Sequence, residues 1–101
     1  MKRIMNANQL LALRDEDLNI VVDDDCEIRC KIQRHHINRL DVAGDLDLLA
    51  PLAVRNIIVG GDLRSKSSII ATGEVHVNGS VKVLGDLEVY DLFVNKSIDI
   101  G

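Results

Sequence analysis

The chain has 101 residues, 47% of them apolar, with 12 Lys and Arg against 16 Asp and Glu and a net charge of −4. That is one domain, large enough for an aliphatic core without disulfides or metal, and too acidic for direct nucleic-acid binding, which draws on clustered Lys and Arg. No run reaches the ~20 apolar residues of a membrane span, and two cysteines behind an N-terminus without a signal-peptide pattern make a reducing, cytoplasmic setting the expectation.

Residues 1–19 are expected to form an N-terminal cap with a short helix. In "NANQLLALRDEDL" either Asn6 or Asn8 can cap it, and Leu10, Leu11, Leu13 and Leu18 supply an apolar face to lie over the first layer of the strands beyond residue 19. Asp15, Glu16, Asp17, Asp23, Asp24 and Asp25 fall in one span without a basic residue, and Arg29, Lys31, Arg34 and Arg39 follow without an acid among them. Segregated charge of this kind steers a charged partner, so the six acids are a candidate surface for a protein with a basic face.

Residues 20–101 are expected to form a single β-solenoid. Ile20/Val22, Cys26/Ile28 and Ile32 begin it as a coil of irregular length, and "RHHINR" brings the chain into register at Leu40. From there aliphatic pairs separated by one residue recur at Leu40/Val42, Leu46/Leu48, Leu52/Val54, Ile57/Val59, Val75/Val77, Val81/Val83, Leu87/Val89, Leu92/Val94 and Ile98/Ile100, with Leu63/Ser65 and Ile69/Ala71 as weaker members. Each pair starts six residues after the last, or five at two places, and alternates with the period of a strand.

Three such hexads make a larger unit of 17 or 18 residues, which aligns Leu40, Ile57, Val75 and Leu92, and likewise Leu46, Leu63, Val81 and Ile98. This predicts an all-β fold: a triangular parallel β-helix of four to five coils with a helical cap. Tyr90 and Phe93 are the only aromatics, as suits stacked identical layers of Val, Ile and Leu. The second aliphatic of each pair should point inward as well, which favours the right-handed form over the left-handed hexapeptide helix.

Corners should be marked by Gly44, Gly61 and Gly79 in one row and by Asn56, Gly73 and Asp91 in another, residues that accept a left-handed backbone at least cost. Asp45 and Asp62 stack beside the first row, but Ser80 and Ser97 continue it, so a row of cation-binding carboxylates is only two deep. Cys26, Cys30, His35 and His36 lack a standard zinc spacing. His76 is expected at an outward position in a row with Asp41, Ile58 and Phe93. No catalytic residue, cofactor or metal is expected.

At the C-terminus, Leu92, Val94, Ile98 and Ile100 fall in the last layer, with Tyr90 and Phe93 beside it. These six residues are the candidate self-association surface, giving a homodimer through the C-terminal coil.

The stretch from "LDVAGDL" to "GDLEVYDLFV" resembles the bactofilin type of polymer-forming β-helix: valine-rich hexads, three per coil, glycine at corners and almost no aromatics. The resemblance covers residues 40–101 and implies a cytoskeletal scaffold that assembles end to end without nucleotide. Fewer coils and a helical cap set this chain apart, since one blocked end permits a dimer and stops growth. The expected function is thus a non-enzymatic, self-associating scaffold or protein-binding module. The alternative is a small acidic inhibitor of the kind phages encode, whose carboxylates imitate nucleic-acid phosphate and block a basic channel. An enzyme of the hexapeptide class ranks third.

Overall fold

The computed structural model describes residues 1–33 and 36–100. In chain order its elements are β1 (Lys2–Ile4), α1 (Ala7–Leu13), β2 (Asn19–Val22), β3 (Cys26–Ile28), β4 (Arg39–Val42), β5 (Leu46–Leu48), β6 (Leu52–Val54), β7 (Asn56–Val59), β8 (Leu63–Ser65), β9 (Ile69–Val77), β10 (Val81–Val83), β11 (Leu87–Val94) and β12 (Ile98–Ile100). Every strand pairing among the described residues is parallel. The chain winds as a β-solenoid of about four turns with one short helix.

Three faces follow from the pairing. The first stacks β1, β3, β5, β8, β10 and β12; the second stacks β2, β4, β7 and the later parts of β9 and β11. The third joins β6 to the early parts of β9 and β11, extended below by a bridge from Ile32 to Leu52. Strands of three or four residues suffice because each lap needs only an inward, an outward and an inward residue before it bends. The predicted rows appear as register: Leu40 on Ile57 on Val75 on Leu92, and Cys26 on Leu46 on Leu63 on Val81 on Ile98. The aliphatics along these rows, Ile98 apart, form one continuous core.

The corners work differently from the expectation. Among the described residues no glycine has a positive φ, so none of them is there for a left-handed backbone. What glycine supplies is room. Asp25 Oδ1 accepts the amide of Asp45 at 2.8 Å, Asp45 Oδ1 that of Asp62 at 2.8 Å, and Asp62 Oδ1 that of Ser80 at 2.8 Å. A Cβ on Gly44, Gly61 or Gly79 would collide with the very carboxylate oxygen that makes the bond. Each lap therefore hands an acceptor upward, and the glycine above leaves space for it. Where the acceptor shortens to Ser80, the glycine position of the next lap is filled by Lys96, whose amide bonds Gly79 O.

A second corner repeats the device with an amide: Asn56 Oδ1 accepts from Glu74 N at 2.9 Å, and a Cβ on Gly73 would meet Asn56 Oδ1. The row here runs Arg39, Asn56, Glu74, Asp91 rather than through Gly73. The register slips between Val89 and Asp91, so Thr72 and Gly73 together stand opposite Tyr90. A bulge absorbs the one-residue difference between 17- and 18-residue laps.

At the N-terminal end, Asn6 Oδ1 caps α1 by accepting from Gln9 N, while Gln9 Oε1 accepts from Met5 N. Leu10 is fully buried and Leu13 packs against the core. Leu18, expected on the helix face, lies outside it: α1 stops at Leu13, and Asp15 Oδ1 takes the amides of Asp17 and Asn19 to form a turn in which Leu18 has φ 62°. An aspartate side chain that bonds amides two and four residues on competes with helix continuation. The cap segment also carries β1, which starts the first face beside β3.

Candidate functional site

The two ends of the solenoid are unlike. At the N-terminal end the inward residues Ile4 and Ile20 are fully buried, and so is Leu10 of α1, which joins the same core cluster beside β1. At the C-terminal end Ile98 is 52% exposed and Ile100 49%, although their partners one lap below, Val81 and Val83, are 1% and 0% exposed. Leu87, Val89, Leu92 and Val94 are half-buried above the fully covered row of Ile69, Ala71, Val75 and Val77. Six aliphatic side chains of the inward set thus form an uncovered layer. β11 and β12 are also the edge strands at this end, each with one side unpaired among the described residues.

Of the six expected self-association residues, Leu92, Val94, Ile98 and Ile100 lie in that layer itself, and Leu87 and Val89 complete it. The outward members are Tyr90, 80% exposed at the bulge, and Phe93, half of whose surface is open. Phe93 stacks on His76 with ring centroids 4.6 Å apart and planes 14° from parallel. His76 Nε2 lies 2.7 Å from Glu74 Oε2. The outward row Asp41, Ile58, His76, Phe93 is as expected from the repeat.

The six acids expected to bind a partner do not form one group. Asp15 is spent on the turn before β2; Asp24 Oδ2 pairs with the terminal ammonium at 2.8 Å, which holds its carboxyl below the usual range. Asp25 belongs to the corner ladder. Glu16, Asp17 and Asp23 are exposed. β2 separates the group around Asp15 from the group around Asp24 by about 13 Å of extended chain.

Cys26 faces the core in the row below Leu46, and burial pushes its thiol up to about 11. Cys30 is half-buried and also raised by burial. His36 Nδ1 accepts from Gln33 N at 3.1 Å; His35 and Arg34 lie outside the described residues. No cluster of three metal-ligating side chains occurs among the described residues, and none of their helices is long and apolar enough to cross a membrane.

Sequence reasoning missed the part played by Asp25. The signal was present in "DDDCEI" against "AGDLDL" and "GGDLRS", but 20 residues separate Asp25 from Asp45 where later laps take 17 or 18. The outward charges of the first face also went unread: Glu27, Asp47, Arg64, Lys82 and Asp99 stack in order, with Arg64 Nε on Asp47 Oδ1 at 2.7 Å. Comparison with protein-family models, with curated proteins and with solved structures finds no match to this chain.

Proposed function

We propose that the chain is a non-enzymatic β-solenoid scaffold that associates with a second copy of itself through its C-terminal coil. One observation carries this reading: the inward aliphatic layer is closed by α1 at one end and open at the other. An uncovered aliphatic layer bounded by unpaired strand edges loses free energy to water on both counts, at about 25 cal/mol per Å² of apolar surface and through its unmatched ladder of amides and carbonyls.

The closed end decides how two copies meet. A C-terminal coil cannot stack on a partner's N-terminal coil, because α1 is in the way. The copies therefore join C-terminus to C-terminus about a two-fold axis, and the assembly closes as a dimer. The likeness of residues 40–101 to the bactofilin pattern supports an end-to-end contact of this kind. The scattered acids, three of which are bound up within the fold, offer a nucleic-acid mimic less support.

Sedimentation equilibrium on the 101-residue chain tests it. A reversible monomer–dimer equilibrium is expected, abolished by Ile98→Lys, which places a charge in the joined layer, and weakened by Phe93→Asp. A dimer indifferent to Ile98→Lys, or no dimer at any concentration, would refute the proposal.

A further inference from the structure

Resting on that reading, we infer that the dimer's two-fold axis passes through the first face, so that β12 pairs antiparallel with β12 of the second copy and Asp99 meets Asp99 across it.

Two triangular coils stacked end to end about a two-fold axis allow three arrangements. The axis runs through the middle of one face, which then pairs with itself, and the other two faces exchange. Because one lap is the flipped image of the other, the facing strands are antiparallel. Register is set by sidedness: inward residues must stay in the common core, so the outward middle residue of each strand faces the outward middle residue opposite. On the last lap those residues are Glu88 on the third face, Phe93 on the second and Asp99 on the first.

Two acids among three positions cannot all avoid each other. With the axis through the second face, Phe93 meets its copy, but Glu88 meets Asp99 twice. With the axis through the third, Glu88 meets Glu88, flanked on each side by Ile70, its register neighbour, and no cation relieves the pair. With the axis through the first, a single Asp99 pair forms and each member stands beside Lys82, its register neighbour one lap down. Glu88 then faces Phe93. Opposed like charges destabilise a sheet pair, and a neighbouring cation offsets the repulsion. The first-face axis leaves the fewest unrelieved acids.

The dimer should therefore be held together by its aliphatic layer against a residual carboxylate repulsion, and salt should tighten it. Dissociation constants from sedimentation equilibrium on the full chain, between ~50 mM and ~500 mM sodium chloride, read this out. Asp99→Asn, at an exposed outward position that leaves folding alone, should tighten the dimer about two- to fivefold at the low-salt end and flatten its salt response. Lys82→Gln should weaken the wild-type dimer and do nothing in the Asp99→Asn background. Glu88→Gln should leave the constant unchanged. Equal tightening by Glu88→Gln and Asp99→Asn would place the axis on the second face, and tightening by Glu88→Gln alone on the third; either overturns the inference while the dimer stands. A wild-type chain that stays monomeric at every salt concentration overturns both.

Discussion

Asp25, Asp45 and Asp62 show what a single residue contributes in a fold made of repeated laps. Each carboxylate is half-open to water yet accepts a backbone amide that the bend takes out of the strand ladder. Gly61 is the glycine whose added Cβ would strike mainly the side chain below, its nearest backbone atoms being 3.1 Å away. Gly61→Ala should therefore cost ~2 kcal/mol by overpacking, and Asp45→Ser should recover part of it in the double variant. Urea unfolding of the four members of that cycle checks the coupling; the chain's own pairing of Lys96 above Ser80 is the natural form of the relieved state. Glycine at these corners was visible in the repeat, but its reason was not, since a side chain one lap away cannot be seen along the sequence. Cys26 gives a second expectation. Its folded thiol is raised from 9.0 to about 11, so the unfolded chain releases the proton first. The stability from the buried neutral thiol is complete below pH ~9 and is lost as pH climbs toward 11. Cys26→Val should unfold less readily across that window than wild type, relative to each at pH ~7, as followed by circular dichroism.

Among elements, α1 is the one on which the direction of the proposed assembly rests. Seven residues are too few for a helix to hold itself together in water. It persists because Asn6 Oδ1 accepts from Gln9 N, Gln9 Oε1 accepts from Met5 N, and Leu10 is buried in the core. Asn6→Ala should cost ~1 kcal/mol, while Leu10→Ala, which opens a hole in the buried cluster that holds Ile4 and Ile20, should cost ~3 kcal/mol. Beyond stability, Leu10→Ala should let the N-terminal end bind a hydrophobic dye that the wild-type end excludes; unchanged dye binding would show that α1 is no lid. The helix and its asparagine cap were readable from residues 6–13. Its end was not, because the signal that stops it, Asp15 reaching forward to the amides of Asp17 and Asn19, resembles an ordinary acidic helix surface. β1 was equally hidden: it pairs 24 residues away with β3, across a helix and a turn that obscure the period.

In the whole molecule, stability passes from lap to lap, since each strand touches only the laps directly above and below it. Leu46, Leu63, Val81 and Ile98 occupy one row, so substitution along it compares position with chemistry held nearly constant. Leu63 is fully buried between two laps, and Leu63→Ala should cost ~3 kcal/mol at any protein concentration, because the cavity it leaves has walls on every side. Ile98 has only the lap below it and remains 52% exposed, so in dilute solution Ile98→Ala should cost less than ~1 kcal/mol. A second copy seated on the last lap would make Ile98 a core residue, and its substitution would then carry a cost approaching that at Leu63. Urea unfolding of both variants at low and high protein concentration separates the cases: a penalty at Ile98 that grows with concentration, beside a constant one at Leu63, places the missing layer of this solenoid in its neighbour.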